Sequence, residues 1–170
     1  STTVVIAQNH VGGIVGLVSG ANAEVTTCIN HANVQGYYCV GGIAGAVKAG
    51  AEVHLSANYG EVKGNGIIGG VAGRVSTTGM YSNGSVKECA VYDVYNLGEV
   101  SGYGTTAGSE MGGIVGEAGY ENWKQEALPP MPVIERAYSV PISSGVNRNG
   151  GIIGYLLSGC YGTGYAISSS

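Results

Sequence analysis

A chain of 170 residues with 44% apolar and only 11% charged residues is not disordered, since disordered chains are charge-rich and apolar-poor. Its 32 glycines keep no period of three or two, which excludes collagen and silk. The formal net charge of -4 comes with seven scattered Lys and Arg, so no basic stripe exists to displace counterions from phosphate and nucleic acid is excluded as a partner.

No apolar run reaches the roughly 20 residues of a membrane-spanning helix. The N-terminus shows no basic segment followed by an apolar one, so no signal peptide is read there. The first element, VGGIVGLV at 11–18, returns as VGGIAGAV at 40–47, IGGVAGRV at 68–75, MGGIVGEA at 111–118 and NGGIIGYL at 149–156. Three glycines recur in every copy: Gly12, Gly13 and Gly16; Gly41, Gly42 and Gly45; Gly69, Gly70 and Gly73; Gly112, Gly113 and Gly116; Gly150, Gly151 and Gly154. The first glycines are 29, 28, 43 and 38 residues apart, so the unit is about 28 residues with extra length in particular copies. Counted from the paired glycines, positions three and seven are apolar while position six varies (Leu17, Ala46, Arg74, Glu117, Tyr155). That is the pattern of a half-buried strand. Simple alternation puts the fifth-position glycine on the inward face and leaves position four as an apolar stripe pointing outward.

A second motif follows each octet and centres on Asn30, Asn58 and Asn96, then on Ser139 and Gly162. It carries another short strand, a third segment ends in glycine (EVKG, EVSG), and Asn-Gly dipeptides at 65–66, 83–84 and 149–150 mark turns. Three strands and three corners in about 28 residues predict one coil of a parallel β-solenoid, an all-β fold in which equivalent strands stack at roughly 4.8 Å. The recurring asparagine predicts an amide ladder at one corner. Tyr95, Tyr138 and Tyr161 are read as one stacked row. A sandwich is the alternative architecture; helix is excluded by the ubiquity of glycine. Residues 1–170 form a single repeat domain of about five coils, and both chain ends read as half-repeats, the expectation for a piece of a longer array.

The octet paired with ANYGEVKG (57–64), YNLGEVSG (95–102) and CYGTGYAIS (160–168) resembles the GLUG motif. That motif occurs as tandem repeats in large secreted and surface-anchored bacterial proteins, including adhesins and the non-catalytic regions of IgA-cleaving metallopeptidases. The resemblance covers nearly the whole chain, although Ser139, Pro141 and Ile142 depart from it in the fourth copy. It implies an extracellular or cell-surface, bacterial location, a role in adhesion or display, and the flanking repeats of a parent chain as partners.

Specific function is expected in the surplus residues. Insertions of about ten residues lie in the third and fourth repeats and leave the coil at the same corner, so the loops 76–90 and 117–133 should emerge side by side. Trp123, Tyr120, Met80 and Tyr81 are the candidate contacts there for a host protein or glycan; the alternative for Trp123 is a structural one, capping the solenoid core or plugging its flank. The alternatives are a passive stalk and a glycan-active enzyme. The enzymatic reading finds little: the three histidines (His10, His31, His54) fall at different register positions and Asp93 is the only aspartate. GYGTTAG at 102–108 lacks a Walker lysine. No catalytic residue is assigned and no cofactor is expected. The cysteines (Cys28, Cys39, Cys89, Cys160) have no CxxC pair, so no metal site is read either; free, inward-facing thiols are expected, with disulfides as the alternative.

Overall fold

A computed structural model describes residues 3–77, 87–103, 109–120, 131–140, 148–157 and 165–166, and only the backbone of Tyr120, Tyr165 and Ala166. Every helix-or-strand element among them is a β-strand. The chain lays its strands into four sheets in rotation. One round runs Asn33–Gly36, Val40–Gly41, Ala44–Lys48 and Glu52–Asn58, in what we term the first to fourth sheets; the next runs Val62–Gly64, Ile67–Gly69, Ala72–Thr77 and Ala90–Asn96.

Equivalent strands of successive rounds pair in parallel. Val62 lies between Val34 and Val100 in the first sheet, and Ile68 between Val40 and Met111 in the second. Val75 lies between Val47 and Ala118 in the third, and Asn96 between Asn58 and Ser139 in the fourth. The fold is therefore all-β, built of parallel sheets. The residues at position three from the paired glycines form one row: the N–H groups of Ile14, Ile43, Val71 and Ile114 donate to the carbonyls of Ile43, Val71, Ile114 and Ile152 at 2.9–3.1 Å.

The octet is two strands rather than one. Its first two residues belong to the second sheet and its last four to the third, with a corner at the second glycine and the apolar residue after it, Gly42 and Ile43 in the second copy. The round thus has four strands where three are expected from the sequence. The corner is too tight for a side chain, because a Cβ on Gly41 would lie 2.0 Å from the Ala44 carbonyl oxygen. After the corner the pairing joins Ala44 to Ala72 and Ala46 to Arg74 but skips the glycines between them. That skip shifts the alternation by one residue and brings position four inward: Ala44, Ala72 and Val115 are fully buried in the core. The fifth-position glycine faces elsewhere. A Cβ on Gly73 would meet Gly45 O and Val40 N, both at 2.6 Å, so it lies against the backbone entering the second sheet of the preceding round.

The fourth sheet bends in the same way. Thr27, Leu55, Asp93 and Arg136 share one register position and all have left-handed backbone, with φ of 57°, 48°, 51° and 44°. The bend turns Leu55 out to solvent although alternation from Val53 would bury it; it is 57% exposed. Two apolar clusters result. One, including Val47, Val53, Val75, Val91 and Ile134, fills the space between the third and fourth sheets; the other, including Val34, Val40, Val62, Ile68 and Met111, fills that between the first and second.

Asparagine joins the two. Asn30, Asn58 and Asn96 end the fourth-sheet strands, buried beside the second glycine of each corner. Asn30 Nδ2 donates to Asn58 Oδ1 at 2.7 Å and Asn58 Nδ2 to Asn96 Oδ1 at 2.8 Å. Each amide also donates to the carbonyl two residues on, at Ala32, Gly60 and Gly98. The row stops at Ser139, whose hydroxyl donates instead to Val140 O. Ser139→Asn should extend it, because Gly113 leaves the same Cβ-free space there that Gly42 and Gly70 leave for Asn58 and Asn96. A net gain of about 1 kcal/mol corresponds to a rise in thermal midpoint of roughly 2–4 °C for a chain of this size, measurable by thermal denaturation.

Two register readings change. Tyr165 pairs with Tyr138 and Ala166 with Ser139, so the fifth copy is centred on Ala166 rather than on Gly162, and Tyr165 takes the row position expected of Tyr161. Tyr161 and Gly162 lie outside the described residues. The four-residue shift follows from YGTGYA offering two Tyr-small pairs, between which local pattern cannot choose. Cys28, Cys39 and Cys89 form no disulfide among the described residues, and the last two are buried; Cys160 lies outside the described residues. Burial pushes the Cys89 thiol above its ordinary value. No helix among the described residues is long and apolar enough to cross a membrane.

Candidate functional site: a cleft on the fourth sheet

Both insertions stand between the third and fourth sheets on adjacent rounds. The first follows Ala72–Thr77 and precedes Ala90–Asn96; the second follows Val115–Tyr120 and precedes Val133–Ser139. The strands run further into them than expected, since Thr77 pairs with Tyr120. Of the candidate contacts, Tyr120 closes its strand as backbone; Trp123, Met80 and Tyr81 lie outside the described residues.

On the outward side of the fourth sheet, where its strands begin, is an open cleft of about 410 Å³. Its walls come from Glu52, Lys87, Glu88, Tyr92, Glu135 and Arg136. The bend of this sheet explains their gathering. His54, Tyr92 and Glu135 form one outward row, and the left-handed residues Asp93 and Arg136 form the row beside it.

Tyr92 is the centre of the wall. Its ring stacks on His54 at 4.8 Å between centroids and 7° between planes, and the Arg136 guanidinium lies 5.5 Å over its ring. Its hydroxyl donates to Glu52 Oε2 at 3.1 Å. Loss of surrounding water, then this bond to a carboxylate, raises the Tyr92 phenol above its ordinary value. Arg136 grips Asp93 through Nε and Nη2 and reaches Glu135 through Nη1 at 2.9 Å. This fork matches a carboxylate with two parallel bonds, and the bond from Arg136 holds the Asp93 carboxyl below its usual range.

Lys87 bridges Glu52 Oε1 and the Ala21 carbonyl. Its hydrogen bond lowers the Glu52 carboxyl, against the opposing effect of partial burial. Because the folded value lies below the unfolded one, the pair's contribution to stability is present above the ordinary glutamate range of about 4.3 and is lost as pH falls through the folded value. Lys87→Met should therefore move the Glu52 titration upward in a carboxyl-detected NMR titration.

Among the described residues no group of three or more His, Cys, Asp or Glu is placed to hold a metal ion. Sequence reasoning missed Lys87, Glu88, Glu135 and Arg136. The available signal was position: Lys87 and Glu88 close the expected loop 76–90, and Glu135 and Arg136 follow the loop 117–133 in register with His54 and Leu55. Beside the cleft, along the same strands, Tyr95 and Tyr138 pair in register and are 37% and 39% exposed. Tyr59 meets Tyr95 edge-on, their hydroxyls 2.8 Å apart, and stacks on His31 at 4.9 Å. Comparison with protein-family models, curated proteins and solved structures finds no match.

Proposed function

We propose that this chain is a non-catalytic binding module of a bacterial surface protein, made of GLUG-like repeats wound as a parallel β-solenoid whose four faces are the four sheets. The strand rotation and in-register pairing of successive rounds support the solenoid. The reading rests on one observation above others: on adjacent rounds both insertions fall between a third-sheet and a fourth-sheet strand, and the fourth-sheet strands that follow them line a ligand-sized cleft. Pockets of roughly 300–1,000 Å³ take small ligands. A rigid stack holding variable segments is how scaffolds present recognition loops.

The test is a screen of the purified domain against arrays of extracellular glycans and matrix proteins, with wild type, Trp123→Ala and a cleft variant compared side by side. Reproducible binding that weakens in a variant with an unchanged thermal midpoint is the expected result. A blank array, with normal display after the domain is replaced by unrelated repeats, would make it a spacer.

A further inference from the structure

Building on the binding-module reading, we propose that the outward face of the fourth sheet holds a neutral linear oligosaccharide, with the cleft residues bonding its hydroxyls and the tyrosine row carrying its sugar faces. Three observations select this ligand class. First, the cleft lies over strands Glu52–Asn58, Ala90–Asn96 and Val133–Ser139, which are interior to their sheet. Their backbone groups are committed to neighbouring strands, so an extended peptide has no edge to join.

Second, the charges are interleaved rather than segregated. Lys87 is held by Glu52, and Arg136 by Asp93 and Glu135. A polyanion would have to compete with these carboxylates and a polycation with these bases. A hydroxyl can do what neither can, accepting from a guanidinium while donating to a carboxylate. Arg136 and Glu135 present such a pair to solvent, with side chains 57% and 45% exposed.

Third, Tyr95 and Tyr138 continue the same outward face two residues beyond Asp93 and Arg136. Adjacent parallel strands are about 4.8 Å apart, so the row offers an aromatic ring at each of these two rounds. The weakly positive C–H face of a pyranose complements the negative face of an aromatic ring. Polar recognition and stacking thus lie side by side on a rigid surface.

The experiment is isothermal titration of the whole 170-residue chain with cellohexaose, mannohexaose and xylohexaose as neutral probes, and with heparin hexasaccharide, oligogalacturonate and hexalysine as charged ones. At least one neutral probe should bind, with affinity little changed between low and high salt. Glu135→Gln, Arg136→Met and Tyr138→Ala should each weaken it about tenfold or more, with thermal midpoints close to wild type. Glu135→Gln is nearly isosteric and guards against a folding defect in the other two. Binding of charged probes alone, or no binding of any neutral probe, overturns the inference. So does neutral binding that survives all three variants; if that binding is lost when 78–86 or 121–130 is shortened, the binding module stands and its site is the insertions. The module reading falls only if the broad arrays are blank as well.

Discussion

Gly70→Ala yields little or no folded protein. A Cβ at this position would lie 2.1 Å from Gly113 O and 2.4 Å from Asn96 Cγ, far inside van der Waals contact. The first obstacle is backbone of the next round and the second is a fully buried ladder side chain. Neither can retreat, since Gly70 N is bonded to Gly112 O at 3.2 Å and Val71 N to Ile114 O at 2.9 Å. Relief would require separating two rounds of the stack and breaking their ladder hydrogen bonds together. The loss should exceed about 4 kcal/mol, in the range reserved for severe core overpacking and broken buried networks. Soluble expression and a circular dichroism melt would measure it. Ala46→Gly, four residues past Gly42 on the third sheet, should cost only about 1 kcal/mol and controls for a generic effect of changing small residues. A Gly70→Ala protein with a wild-type melting curve would mean that the corner is far looser than these distances allow.

The same distances show why the repeat is legible in sequence and where legibility ends. The paired glycines and the asparagine 28 residues apart in Asn30 and Asn58 are each other's cause: the amide occupies the space where the second glycine has no side chain. Such mutual constraint leaves a fixed spacing, and spacing can be read. Sheet membership cannot be read by counting alternate residues, because each of four described rounds contains two parity shifts, at the fifth-position glycine and at the left-handed residue of the fourth sheet. The second is carried by Thr27, Leu55, Asp93 and Arg136. None of these is a residue type that announces positive φ as glycine does.

The cleft was hidden for a related reason. Glu52, Tyr92 and Arg136 are 84 positions apart from first to last and share no motif. Their proximity depends on the rows created by the bend and on the insertions being passed over without loss of register. Aromatic and methionine residues within the insertions drew attention because composition is visible locally. Charged residues at their C-terminal ends or just beyond them drew none, since a Lys-Glu or Glu-Arg pair reads as solvated surface.

Asn58→Ala should destabilise the chain by about 3 to 5 kcal/mol. Asn58 is fully buried and takes part in three hydrogen bonds: it donates to Gly60 O and Asn96 Oδ1 and accepts from Asn30 Nδ2, at 2.7–2.8 Å. Each is worth roughly 1 kcal/mol net, and removing one partner adds the penalty for a buried group left unpaired. Asn58→Asp separates hydrogen bonding from size. A carboxylate there can still accept from Asn30 but cannot donate, so its oxygens would face Gly60 O and Asn96 Oδ1 as bare acceptors. The folded state will hold that carboxyl protonated, which raises its value above the ordinary 3.9 or so of aspartate. Between the unfolded and folded values the native state binds the extra proton, so stability falls as pH rises through that window and recovers as pH is lowered. Denaturant titrations of wild type and Asn58→Asp across pH 4 to 8 should therefore diverge with rising pH, while Asn58→Ala stays parallel to wild type. Parallel curves for Asn58→Asp would mean that the row is open to water and that the two apolar clusters are joined by something other than these amides.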